Sequence, residues 1–127
     1  MIGLLLFCLA IVCNGQLYVS VNGVDNSTCT SQLPCKTLQE AINVFISNPL
    51  TILSIIIDDG TYSGPNNVGI IFPDVEVIIQ GQNTIFDCSD IKNSLGFTAN
   101  NELTLTNITL LHCALPLNIS SDVTCHL

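Results

Sequence analysis

The chain has 127 residues, enough for one domain. Ten acidic residues stand against Lys36 and Lys92, with no arginine, for a formal net charge of -8. Two lysines far apart in sequence form no basic track, so nucleic acid is excluded as a partner and an anionic membrane surface is disfavoured.

Met1 to Val12 is an uncharged, apolar run followed by the small and polar Cys13-Asn14-Gly15. It is shorter than the ~20 residues that span a bilayer, and it fits the ~7–15-residue core of a signal peptide. Cleavage is expected after Gly15, making 1–15 the signal and 16–127 the mature part; an uncleaved anchor is the alternative. No later stretch approaches membrane-spanning length. Export agrees with three acceptor sequons for N-glycosylation, at Asn26-Ser27-Thr28, Asn107-Ile108-Thr109 and Asn118-Ile119-Ser120. It also leaves five cysteines, Cys29, Cys35, Cys88, Cys113 and Cys125, an odd number that predicts at least one thiol without an internal partner.

Leu17 to Val21 alternates β-branched and aromatic residues and reads as a short strand. A polar loop follows, and a disulfide between Cys29 and Cys35 is the natural staple at its end. After Pro34 the period becomes helical: Leu38, Ala41, Ile42 and Phe45 share one face at i, i+3, i+4 and i+7. Thr37 and Glu40 form a capping box, and Asn48-Pro49 stops the helix, which is placed at Leu38 to Ser47.

Beyond Pro49 the pattern is of short apolar runs broken by Gly, Asn and Asp. Thr51 to Ile57 reads as a strand buried on both faces, ended by Asp58-Asp59-Gly60. Gly69 to Phe72, Val75 to Ile79 and Thr84 to Cys88 read as further strands, with Gly81-Gln82-Asn83 as a turn. Glu76 to Cys88 (EVIIQGQNTIFDC) then recurs in kind as Glu102 to Cys113 (ELTLTNITLLHC), and Phe72 is matched by Phe97. A third pass begins at Leu117-Asn118-Ile119 and Val123. A period in the twenties predicts a solenoid whose rungs cover one another; a β-sandwich is the alternative. The helix, ahead of every repeat, would plug the open end of the core. Cys88 and Cys113 then fall on adjacent rungs ~4.8 Å apart, either bridged or stacked as free thiols.

Four segments carry a resemblance to a known family. They are Tyr18 to Asp25, Pro34 to Ile42, Ile55 to Tyr62 and Val77 to Gly81. In order they resemble the glycine-aspartate opening loop, the Thr-Leu/Ile-Gln-x-Ala-Ile capping helix, the Gly-Thr-Tyr turn and the first strand of pectin-lyase-like right-handed parallel β-helix proteins. With Cys29 and Pro34-Cys35, the chain resembles repeat-rich secreted and surface proteins of protists and bacteria, including polymorphic-outer-membrane-like ones. The resemblance covers nearly all of the mature part and implies a mainly β, single-stranded β-helix with an amino-terminal helical cap, incomplete at its carboxyl end.

Pectin methylesterases begin similarly, so the family also implies a rival function, the amino-terminal part of a polysaccharide-active esterase, lyase or hydrolase. Such enzymes need arginine or lysine beside acidic residues on later coils, a combination not evident here. Asp58 and Asp59 are paired carboxylates, but before Gly60 they are expected to accept turn hydrogen bonds. Asp87 and Asp90 lack the alternating ligands of a calcium loop. His112 beside Cys113 and His126 beside Cys125 match no compact zinc motif, and His112 is expected on a strand facing solvent. No catalytic residue, metal or cofactor is therefore expected. The favoured expectation is a secreted or cell-surface non-catalytic module, structural, adhesive or carbohydrate-binding, with carbohydrate or another extracellular protein as partner.

Overall fold

The computed structural model describes residues 15–26, 28–89, 95–119 and 125–126. The protein is mainly β with one helix. In chain order the elements are β1 (Gln16–Val19), α1 (Leu38–Ser47), β2 (Ile52–Ile57), β3 (Gly60–Ser63), β4 (Ile70–Ile71), β5 (Glu76–Asp87), β6 (Leu95–Ala99), β7 (Leu103–Leu111), β8 (Leu115–Ile119) and β9 (Cys125–His126). All pairings between these strands are parallel. The larger sheet has the order β1-β2-β5-β7-β9, with β3 also alongside β5, and the smaller has the order β4-β6-β8.

Parallel neighbours need a crossover connection. Here the path from β3 to β5 passes through β4, that from β5 to β7 through β6, and that from β7 to β9 through β8. Every such link therefore adds one strand to the smaller sheet. The link from β1 to β2 carries α1 instead.

Register aligns like side chains into columns. Leu53, Val77 and Leu103 are partners on one inward row, and Leu17, Ile55, Ile79 and Leu105 on another. From the smaller sheet come Ile70, Phe97 and Leu117. Phe86 of β5 meets Phe97 of β6 edge-on at 5.1 Å between ring centres, which joins the two sheets across one core, and Tyr62 stacks on Phe86 at 5.2 Å. Each fully buried aliphatic side chain contributes roughly 1.5–3 kcal/mol of transfer free energy. Ile52–Ile57 alternates inward and outward, so this strand is not buried on both faces as its composition suggests; Ser54 and Ile56 are half-exposed.

The helix lies against β1 and β2, with Leu38, Ala41, Ile42 and Phe45 buried in the same core. The leading N–H groups of Thr37, Leu38, Gln39 and Glu40, which have no partner within a helix, are all satisfied, the first by Asp25 Oδ1 (3.1 Å). Leu38 N–H donates to Asn67 Oδ1 (2.9 Å), Gln39 N–H to the Asn66 carbonyl (2.9 Å) and Glu40 N–H to Thr37 Oγ1 (3.3 Å); Ala41 N–H, donating to the Thr37 carbonyl (3.4 Å), makes the first bond of the helix itself. The expected reciprocal half of the capping box goes elsewhere: the Thr37 N–H donates to Asp25 rather than to Glu40, whose carboxylate instead accepts from Asn43. Asp25 also accepts from the Lys36 N–H (2.9 Å) and the Thr37 hydroxyl (2.9 Å), so one carboxylate from the opening loop organises the helix start. Gly23 lies so close to the Cys35 backbone that a Cβ there would collide with its carbonyl.

The loop through Cys29 and Cys35 covers the outer edge of β1. Tyr18 N–H donates to the Cys29 carbonyl and Ser20 N–H to the Cys35 carbonyl, both at 2.8 Å, while Cys35 N–H donates to the Tyr18 carbonyl at 2.9 Å.

Three local expectations are corrected. Gly81-Gln82-Asn83 does not separate two strands: β5 runs through it, with these residues as an irregularity between the stretch paired with β2 (Glu76 to Gln80) and the stretch paired with β3 (Thr84 to Asp87). His112 lies beyond the end of β7 with φ 60°, not on a strand. Phe97 is in register with Ile70, not Phe72, although the Phe72 and Phe97 rings still touch edge-on at 5.3 Å.

Candidate functional site

The outward side of the larger sheet carries rows set by the same register. Gln16, Ser54, Ile78 and Thr104 form one row, Tyr18, Ile56, Gln80 and Thr106 a second, and Thr61, Ile85 and Thr109 a third. All are exposed or half-exposed. In a protein of net charge -8 the rows as far as β7 hold no charged side chain, the first continuing by register to His126 of β9; Glu76 and Asp87 stand only at the two ends of β5. Amides, hydroxyls and aliphatic faces of this kind suit sugar rings or a flat protein partner.

A bulge interrupts this side. Gln80 pairs with Thr106 and Thr84 with Ile108, so three residues of β5, Gly81 to Asn83, face the single residue Asn107 of β7. Asn107 takes up the mismatch in the left-handed region at φ 57°, which asparagine tolerates better than most residues. The surplus leaves a cleft of about 340 Å³ beside Gln82, Asn83, Ile85, Asn107, Ile108 and Thr109. Beneath the bulge, buried Thr84 turns its hydroxyl to the carbonyls of Ile57 and Asp58, at 3.3 and 3.2 Å.

A second cleft, about 320 Å³, opens at the start of α1 between Lys36, Thr37, Thr61, Ser63 and Asn66. Tyr62 lies under it and donates its hydroxyl to the Asp58 carbonyl at 2.9 Å. Burial first, then the Asp58 charge, pushes the Tyr62 phenol up to about 12.

Asp59 accepts from the Asn83 N–H at 3.3 Å, a structural bond across two strands, whereas Asp58 engages through its backbone; both side chains are exposed. Cys29 is joined to Cys35 and Cys88 to Cys113 by disulfides, with Cα separations of 4.6 and 4.9 Å. Directly beside the second, His112 Nδ1 lies 2.9 Å from Asp87 Oδ1. The His112 and Ser89 hydrogen bonds hold the Asp87 carboxyl below the usual carboxylate range. Asn26 is exposed with φ 83°, and Asn118 is exposed on β8 opposite Thr98. Residues 1–14, Ser27, Asp90, Lys92, Ser120 and Val123 lie outside the described residues, as do the side chains of Cys125 and His126.

Among the described residues no three His, Cys, Asp or Glu side chains gather as a metal site, and no helix is long and apolar enough to cross a membrane. Sequence reasoning missed the Asp87 and His112 contact and the role of Asn67, which is buried, accepts from Leu38 and donates to the Ser63 carbonyl. Only the offset shared with the Cys88 and Cys113 pair hinted at the first. No family model, no curated protein and no solved structure matches the chain.

Proposed function

We propose that the protein is a secreted or cell-surface, non-catalytic module, a right-handed parallel β-helix that binds carbohydrate or another extracellular protein through the outer side of its larger sheet. The observation that carries this is the uncharged rows from Gln16 to Thr104 and from Tyr18 to Thr106, which offer hydrogen-bonding and apolar groups together but no acid or base. Support for the winding comes from the crossovers, each of which contributes a strand to the smaller sheet, and from the strong preference of such crossovers for the right hand. Two disulfides agree with an oxidising compartment. The likeness of Asp25, Thr37 and the capping helix to the pectin-lyase-like opening is of the same tenor, since Asp25 organises that helix.

The test pairs binding with turnover. Protein secreted from a eukaryotic host is incubated with immobilised neutral and acidic polysaccharides and with extracellular matrix proteins. Retention without chain cleavage or de-esterification, weakened by Gln80→Glu and Thr106→Glu, is the expected result. Catalytic release of product, or retention indifferent to both variants, overturns the reading. An experimental structure in which the strands after Pro49 pair antiparallel overturns the winding.

A further inference from the structure

The cleft at the bulge is bordered by Asn107, and Asn107 begins an acceptor tripeptide completed by Thr109, which borders the same cleft. We propose that this cleft is the seat of the protein's own sugar: an N-acetylglucosamine attached to Asn107 Nδ2 folds back into the hollow that the surplus residues of β5 leave beside it. The proposal rests on export, as in the proposed function, and adds a modified residue and a place for its sugar.

The fit is chemical as well as spatial. A volume of about 340 Å³ is near the lower end of small-molecule sites, ~300 Å³, so it suits a single sugar rather than an oligosaccharide. The aliphatic faces of Ile85 and Ile108 provide an apolar wall for the carbon face of a pyranose. Gln82 and Asn83 bring side-chain amides that make no hydrogen bond among the described residues, while their backbone N–H groups are occupied by Thr84 Oγ1 and Asp59 Oδ1. Those amides are free to meet ring hydroxyls and the acetamido group. No charged side chain lines the cleft, as suits a neutral ligand. The left-handed backbone at Asn107 lifts this residue out of the strand's alternation: Thr106 and Asn107 are both exposed in succession.

The attachment is a glycosyl transfer. The Asn107 amide nitrogen forms a bond to C1 of the sugar and loses a proton, while the C1–O bond to a lipid-linked pyrophosphate donor breaks and the pyrophosphate leaves.

Full-length protein is secreted from a eukaryotic host, its glycopeptides are mapped by mass, and amidase release of the Asn107 sugar is timed on folded and on reduced, denatured protein. Asn107 is expected to be occupied, to lose its sugar when Thr109→Ala is introduced and to keep it in Thr109→Ser. Two hydrogen bonds at about 0.7 kcal/mol each correspond to roughly tenfold slower release from the folded protein than from the denatured one. The double variant Gln82→Ala, Asn83→Ala, its folding checked by an unchanged thermal midpoint, abolishes that difference. Sugar at Asn26 or Asn118 with Asn107 bare overturns the proposal and leaves export standing. An occupied Asn107 released as fast as in the double variant overturns the seat. A secreted-host product that keeps residues 1–15 and carries no sugar anywhere overturns export as well.

Discussion

Replacing Cys88 and Cys113 together by alanine opens a loop whose ends are 25 residues apart. In the chain-entropy treatment, closing such a loop removes roughly 12 cal/mol/K from the unfolded ensemble, or about 3.5 kcal/mol at 25 °C. The Cys29 and Cys35 loop, with a separation of 6, gives about 2.2 kcal/mol by the same relation. Small domains are held by only ~5–15 kcal/mol, so the first loss is a large fraction of the whole. With a urea slope of about 1.5 kcal/mol per M, the Cys88→Ala, Cys113→Ala protein should unfold at a midpoint lower by about 2 M, and the Cys29→Ala, Cys35→Ala protein by about 1.5 M. The assay is equilibrium unfolding followed by circular dichroism, with a thiol count on the parent to establish that its cysteines are oxidised. A Cys88 and Cys113 variant within ~0.3 M of the parent would refute the view that this bond ties distant parts of the chain in the unfolded state.

Asp25→Ala removes an acceptor of three hydrogen bonds at the start of α1 and should cost about 2–3 kcal/mol, whereas Asp25→Asn, which keeps one oxygen, should cost about 1, read from the same unfolding curves. Tyr62 should stay protonated to about 12 in an alkaline absorbance titration. Its pKa is raised on folding, so the associated stability is fully present below the ordinary value of 10 and is lost as pH climbs from there to about 12. Asp87, with its pKa lowered on folding, contributes stability above its unfolded pKa that disappears as pH falls through the folded one. His112→Ala should move the Asp87 carboxyl titration upward in carbon-detected NMR, and an unmoved titration would remove His112 as the cause.

The helix was legible because its signals are local. Leu38, Ala41, Ile42 and Phe45 fall on one face, Thr37 is a cap by type, and the observed bounds Leu38–Ser47 coincide with the expected ones. Strands were legible as apolar runs, but their sidedness was not. Ile56, Ile78 and Ile85 are aliphatic residues on the outer side, so composition alone suggested burial where the structure has a half-exposed row. At Gly81-Gln82-Asn83 turn-forming types mark an irregularity inside a longer strand: the ladders resume at Thr84 with both β3 and β7, and nothing within three residues carries that information. The repeat was visible as an offset of 26 residues at Glu76, whereas the register becomes 24 at Asp87 (Asp87 with Leu111) after the bulge. The site residues Gln82, Asn83 and Asn107 meet only because of that slip, which is why the acceptor at Asn107 could be read while the hollow beside it could not.

The covering of β1 by the Cys29 to Cys35 loop has an outcome for how copies of the chain behave together. Head-to-tail growth of a parallel sheet into a filament needs a receptive strand at each end of every unit, since each copy must both donate and accept. With the outward groups of Tyr18 and Ser20 already engaged, that end cannot accept, and a line of molecules joined in this way stops at the first member. Reducing Cys29 and Cys35 would loosen the guard, making oxidised cysteines a safeguard against fibres as well as a source of stability.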